Sequence, residues 1–382
     1  MPSTLLARVA VTLAPLALVT GCGGAAPAPA SAPATGPSAS QAAAPAVAPL
    51  VRDPRAPAEC GATPADLSAA TPLLLTRLWV VAPARAVALR TPNDAEDTRL
   101  RLDGGDAGPP RFLVRARETW RVRNGPSEGA AFDAEVAGFL QRSFAQEVDG
   151  DLAIERVALR DPNVRAYAAR PTSHQLAPGR ADVLVLALLV EHTDGTFQSI
   201  GFYASEPMAR ANAAACVALA ERVGSSVTLG NRTIDRSPGR RTLESPSPRS
   251  PGEGIGLTVP RDWVLLHHRD GLPDVWRALP LRPLGAPSGH AYVVVSLDGA
   301  PHVSPVRDGR EVPGRVFEQP MSWLSTTTST GSSLFASVPI APTSAAAPSS
   351  PRPRAEIMVE ARDPAALDEL RAVAETLTTR RR

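Results

Sequence analysis

Residues 183–203 read VLVLALLV-EHTDGT-FQSIGFY: an unbroken apolar run from Val183 to Val190, a turn signal at Asp194-Gly195, and a return from Phe197 to Tyr203 that is again rich in large apolar residues. A continuous apolar run of this length is what a strand buried on both faces requires, and Asp-Gly supplies the backbone freedom of a tight hairpin. The run is too short to cross a bilayer, which takes about 20 apolar residues. The stretch therefore predicts a central antiparallel pair, and the rest of the fold is read outward from it.

Upstream, Phe132, Val136, Phe139, Leu140 and Phe144 recur at helical spacing, which predicts a helix over Ala130 to Ala145 with that stripe on the sheet. Leu73 to Leu89 and Arg111 to Val122 read as extended, with turn punctuation at Asn93-Asp94 and Gly104-Gly105. Downstream, Ser205-Glu206-Pro207 opens a second helix running to about Val223, with Met208, Ala215, Cys216, Leu219 and Val223 on its apolar face. The C-terminal part repeats a shorter version of this order. Strands are expected at Gly256 to Val259, Trp263 to Leu266, Tyr292 to Leu297, Leu334 to Ile340 and Ala355 to Ala361. Asp363-Pro364 then caps a helix carrying Leu367, Leu370, Val373 and Leu377. The fold class expected is α+β: two tandem domains, 59–233 and 253–382, each an antiparallel sheet covered by helices. A Pro/Ser-rich linker at 234–252 divides them, and an Ala/Pro/Ser tract from Ala341 to Pro353 reads as an exposed loop.

Near its start the sequence carries Arg8, an apolar run from Val9 to Val19, and Thr20-Gly21-Cys22. This order resembles the signal peptide and lipobox of bacterial lipoproteins. The resemblance implies that residues 1–21 are removed and that Cys22 becomes the acylated first residue of the mature protein. Gly23 is not the Asp that often retains such proteins at an inner membrane, so the cell envelope, with the outer membrane favoured, is the expected location. From 22 to 58 the sequence is Ala, Pro, Ser and Gly with few large apolar residues. That composition cannot bury enough surface to offset chain entropy, and it reads as a disordered tether. With Cys22 assigned to lipid, Cys60 and Cys216 remain, and an exported location allows a bond between them. A disulfide is expected; the competing reading is a buried free thiol on the second helix.

Gly256-Leu257-Thr258-Val259-Pro260-Arg261-Asp262-Trp263, opening a small strand-rich domain that ends in a capped helix, resembles the PsbP/DcrB-like superfamily. The first domain resembles it through its order of elements. The resemblance implies an antiparallel sheet flanked by helices and a role in binding or assembly at membranes, and it carries over no functional residue.

Composition narrows the chemistry. All 40 basic residues are arginine, and they nearly balance 38 Asp and Glu. Without lysine there is no P-loop and no Schiff-base enzyme. Both signs of charge are spread along the chain, no basic block is interleaved with aromatics, and nucleic acid is not an expected partner; the terminal Arg380-Arg381-Arg382 reads as cations at a helix end. No Gly-x-Ser-x-Gly elbow is present, and His174, His192, His267, His268, His290 and His302 lack the spacing that places two ligands on one helix face. Gly252-Glu253-Gly254-Ile255-Gly256 follows a linker and precedes a strand, where a dinucleotide loop needs a helix start. Asp103-Gly104-Gly105-Asp106 lacks the ligand pattern of an EF-hand and reads as a turn. Trp79, Trp120, Trp263, Trp276 and Trp323 would form a sugar platform only if exposed, and packing is expected for most of them. No catalytic, cofactor or metal residue is assigned. The expectation is a non-enzymatic envelope lipoprotein held to the membrane by its lipid anchor, binding an envelope protein or other component. The alternatives are a carrier of an apolar small molecule or lipid between sheet and Ala-rich helix, and an atypical hydrolase built from scattered Ser, Asp and His residues.

Overall fold

The structure is a computed structural model, and it describes residues 47–51, 60, 66–89, 96–103, 111–123, 129–243, 255–268, 274–287, 289–297, 309–329, 331–340 and 354–379. Cys22, the segments 1–21 and 22–46, the Asn93-Asp94 and Gly104-Gly105 turns, His302, the 341–353 tract and Arg380 to Arg382 lie outside these residues. In chain order the first half contains β1 (Ala48–Pro49), β2 (Leu67–Leu73), β3 (Leu78–Pro83), β4 (Val87–Leu89), β5 (Asp97–Arg101), β6 (Phe112–Val122), α1 (Ala130–Phe144), β7 (Leu152–Ala158), β8 (Arg165–Pro171), β9 (Asp182–Glu191), β10 (Thr196–Ser205), α2 (Glu206–Ser225) and β11 (Thr228–Leu229). The second half continues with β12 (Gly239–Thr242), β13 (Ile255–Val259), β14 (Trp263–His268), β15 (Asp274–Pro280), β16 (Arg282–Pro283), β17 (Ala291–Leu297), β18 (Arg310–Val316), β19 (Gln319–Thr328), β20 (Gly331–Pro339), β21 (Arg354–Ala361), α3 (Pro364–Ala374) and β22 (Thr378–Thr379).

The hairpin that anchors the reading is β9 and β10, and it sits in the middle of a large sheet ordered β1-β7-β8-β9-β10-β6-β5-β4. The apolar run of β9 is continuous because both faces are covered. Val183, Val185, Leu186, Leu188 and Val190 join Cys216, Leu219, Ala220 and Val223 of α2 in one core, whereas Leu184, Ala187 and Leu189 meet Phe132, Val136, Phe139 and Leu140 of α1 in another. Strict alternation would put Val185 and Leu186 on opposite faces. Register shifts between Phe202 and Tyr203, so that Tyr203 pairs with Leu184 and Phe202 with Leu186, and Val185 is the bulged residue that resets the parity.

The expected α+β class is corrected to a mainly β fold. Strands hold 53% of the described residues and helices 18%, in three helices that cover only part of four sheets. The helices lie where their apolar periodicity placed them; what went unread were strands such as β5, β7, β8, β15, β18 and β19. Several of these alternate polar residues with Ala or Pro, a pattern that differs little from loop. Residues 74–76 break the stretch read as extended from Leu73 to Leu89, because Leu74, Leu75 and Thr76 all take left-handed φ near 50–72° and form the turn between β2 and β3. Glycine-free left-handed turns leave no compositional mark. Helix α2 is interrupted at Asn212 (φ −155°, ψ 62°), whose Oδ1 accepts the Ala215 N–H at 3.3 Å and restarts the helix.

The second large sheet is antiparallel, ordered β14-β15-β17-β21-β20-β19-β18, and α3 packs on its centre through Leu370, Val373 and Ala374. Asp363 caps α3 by accepting the Ala365 N–H at 3.0 Å. Residues 45–382 form one compact unit. Within it β12, from the expected linker, pairs with β13, and β16 from the second half adds in parallel to β6 of the first. Cys60 and Cys216 are bonded. Among the described residues, no helix is long and apolar enough to cross a membrane.

Candidate functional site

Where the halves meet, a cleft of about 290 Å³ opens between the end of β6 and strand β14. Its apolar wall is Trp120 on one side and Trp263 to Leu266 on the other, above a small cluster of Val122, Val264, Leu279 and Leu281 contributed by both halves. Its polar wall is Arg77 and Glu118, with Arg232, Asp235 and Arg241 at the side.

Three separate stretches of left-handed, non-glycine backbone adjoin this cleft: Leu74 to Thr76 directly before Arg77, Trp120 in its wall, and Asp262 directly before Trp263. Each such residue costs of order 1–3 kcal/mol, and conformations of this kind gather at binding and active sites. The first lies against Gly230, where a Cβ would fall 1.7 Å from the Thr76 carbonyl oxygen, so only glycine permits this approach. The second arises from a bulge: Phe197 pairs with Arg121 and Gln198 with Glu118, so Thr119 and Trp120 are extra residues in β6. The Thr119 hydroxyl donates to the Phe197 carbonyl at 2.6 Å and accepts the Arg121 N–H at 3.2 Å, fixing the bulge that turns Trp120 to the cleft.

Behind the polar wall lies a buried network of charge. Arg77 is 2% exposed; its Nη1 donates to Asp194 Oδ2 at 3.0 Å and to the Arg232 carbonyl at 3.2 Å, and its Nη2 donates to Thr196 Oγ1 at 2.7 Å. Arg77 Nε is 2.5 Å from Glu118 Oε1, but the alignment is not that of a hydrogen bond, and Oε1 has no donor. Gln198 Nε2 donates to Glu118 Oε2 at 3.1 Å. One guanidinium thus faces two carboxyl groups. Burial pushes the Glu118 carboxyl up to about 7, against the opposing pull of Arg77 and Gln198. Burial alone would also raise Asp194, but hydrogen bonds from His192, Arg77, Thr196 and the Ile234 N–H overcome it and hold Asp194 well below the usual carboxylate range. At neutral pH the network therefore holds one firm ion pair and one carboxyl close to half protonated.

Comparison with protein-family models, with curated proteins and with solved structures finds no match to this chain. The site is accordingly read from its own chemistry.

Sequence reasoning did not single out Arg77 or Glu118, weighed Trp120 only among five tryptophans expected mostly to pack, and took Asp194 only as a turn residue. One signal was available: Glu118 falls in step with Phe112, Val114 and Ala116, on the buried face of β6. The tryptophans divide as follows: Trp263, Trp276 and Trp323 are buried, Trp79 and Trp120 half-buried. His192 is buried with Nε2 unpartnered, and its Nδ1 contacts both Thr193 Oγ1 (3.3 Å) and Asp194 Oδ1 (3.5 Å). Hydroxyl and carboxylate share one ring nitrogen, so the ring cannot relay a proton between them as a triad does. His267 stacks on Trp276 with centroids 4.7 Å apart, and His290 Nε2 pairs with Glu360 at 2.7 Å. Among the described residues no three His, Cys, Asp or Glu side chains gather as metal ligands would.

The interface of sheet and Ala-rich α2, proposed from sequence as a ligand chamber, is filled. A Cβ on Gly224 would meet Leu188 Cδ1 at 2.9 Å, Leu50 Cδ2 at 3.2 Å and Phe202 Cζ at 3.4 Å.

Proposed function

We propose that this chain is a lipid-anchored protein of the bacterial envelope, acylated on Cys22, whose folded part binds an envelope component in the cleft between Trp120 and Trp263 without turning it over. The anchor rests on the lipobox order ending in Cys22. The binding reading rests on one observation: three left-handed backbone stretches adjoin the same cleft that contains the buried Arg77 and Glu118 pair. Strain of that kind persists where the surroundings fix a geometry for recognition. Half-open clefts with aromatic walls and a few fixed polar groups suit small ligands or a short protein segment.

The test uses the full chain in its native envelope with a photo-crosslinking amino acid at position 120, and a control at exposed Arg210 on α2. A discrete adduct at 120 that is absent at 210, together with an acylated N-terminal peptide by mass spectrometry, is the expected result. Equal labelling at both positions, or an unmodified Cys22 in a soluble protein, refutes the corresponding half of the proposal.

A further inference from the structure

On the face of β6 opposite Glu118, beyond the reach of α1, the sheet carries arginine where its centre carries apolar residues. Asp97 of β5 pairs directly with Arg117 of β6, and Arg99 with Arg115, so at the second position like charges stand opposite each other across the two strands. Such pairs are destabilising unless countered. Asp97 counters both arginines of this pair, accepting Arg115 Nε at 3.0 Å and lying 3.5 Å from Arg99 Nη2. Glu147 lies 3.5 Å from Arg117 Nη1 and accepts the Tyr203 hydroxyl at 2.5 Å. Tyr203 is placed by Gly201, whose missing side chain leaves the space its ring occupies. Burial first, then Glu147, hold the Tyr203 hydroxyl well above its usual range, so it stays a donor to Glu147.

A pocket of about 260 Å³ lies over this surface, lined by Arg99, Arg115, Glu147, Asp182 and Tyr203 and closed on one side by Arg180 from the loop at Gly179. Arg180 donates its Nε to the Gln146 carbonyl at 2.9 Å and has no carboxylate partner among the described residues. Arg99 Nε and Arg117 Nε are buried without an acceptor. Donors thus outnumber acceptors: three guanidinium groups and two carboxyl groups line the pocket, and one of the carboxyl groups, Asp182, is pushed by burial toward its neutral form. Buried donors left unpaired beside an open, cationic pocket call for an acceptor from outside the chain.

We propose that this pocket binds a phosphate-type oxyanion, gripped by Arg99 from the sheet and Arg180 from the facing loop, with Arg115 behind. A single guanidinium fork matches the one plane of a carboxylate, whereas donors arriving from two walls suit a tetrahedral anion. The volume, equal to about eight or nine waters at ~30 Å³ each, also admits atoms attached to the phosphate. This site is independent of the cleft, because residues 115 and 118 point to opposite faces of β6.

The test is calorimetric titration of the full chain in non-ionic detergent at fixed ionic strength. The probes are inorganic phosphate and a short-chain phosphatidylglycerol below its critical micelle concentration. Loss of one charge-assisted hydrogen bond predicts about tenfold weaker binding for R180A and for R99A, no change for R210A, and tighter binding for D182N. Binding of either probe with this pattern supports the proposal, and the probe that binds identifies free phosphate or a headgroup as the source. Binding of neither probe, or binding that R180A and D182N both leave unchanged, overturns it.

Discussion

Glu118→Gln is expected to stabilise the protein at alkaline pH and to flatten its pH dependence. The Glu118 carboxyl moves from 4.5 to about 7 on folding because burial disfavours its charge. Between these values the native state binds more protons than the unfolded chain, so the stability contributed by this group is complete below pH 4.5 and is lost as pH rises through about 7. At ~1.4 kcal/mol per unit, the loss amounts to about 3 kcal/mol. Glutamine keeps the shape and never ionises, and it leaves Arg77 neutralised by Asp194. Against this gain stands the weakened Gln198 hydrogen bond, about 1 kcal/mol. The variant should therefore be more stable than the parent by about 1–2 kcal/mol at pH 8.5 and equal or slightly weaker at pH 4.5. Urea unfolding followed by tryptophan fluorescence across this range measures the difference directly. Parallel curves for parent and variant, or a variant that loses stability relative to the parent as pH rises, would refute the account of the buried network.

Removing the cation has the opposite sign: Arg77→Met leaves Glu118 and Asp194 buried without a counter-charge and should cost about 3–5 kcal/mol in the same unfolding assay at pH 7. Asp194→Asn should make the acid limb of the stability curve shallower, because a carboxyl held low when folded contributes stability above its unfolded value of 3.8 that is lost as pH falls below it, while Asp103 and Asp235, also held low, keep part of the limb. Gly230→Ala drives a methyl into the Thr76 carbonyl and should displace the turn that delivers Arg77, seen as reduced stability and labelling at position 120 lowered below that of Gly224→Ala, which overpacks the α2 interface and should cost about 1–3 kcal/mol. Reducing the Cys60 to Cys216 bond, which are 156 residues apart, frees a long loop and should cost at most about 5 kcal/mol on the chain-entropy account, read as a lowered melting temperature.

Apolar periodicity made part of this fold legible and left the rest unread. The hairpin of β9 and β10 and the three helices are marked in sequence because both faces of the strands, or one full stripe of each helix, are apolar. The edge strands carry no such mark. Arg310 to Val316 contains Pro313 and Gly314, and its hairpin with β19 turns on Phe317 and Glu318, both with φ above 50°, in place of the Asn-Gly or Asp-Gly that announces such a turn. The error in fold class follows from counting only strands that were easy to see. The cleft was illegible for a different reason. The charge network behind its polar wall is assembled from residues 77, 118 and 194, far apart in the chain, and its strain resides in backbone angles that bulky side chains do not advertise.

The disulfide has a mechanical meaning. Cys60 follows β1, which pairs in parallel with β7 over two residues and is otherwise held by the neighbouring Leu50, buried in the core with its carbonyl accepting from Arg170. If the chain ahead of Val47 is pulled while the cleft grips a partner, β1 is a weak first fastening. Once it shears, the load crosses the sulfur bridge to α2, whose apolar face is seated on β9 in the middle of the large sheet. Along the covalent path everything from β2 to β10 is bypassed, so tension entering at that end does not peel these strands away one after another from their N-terminal side.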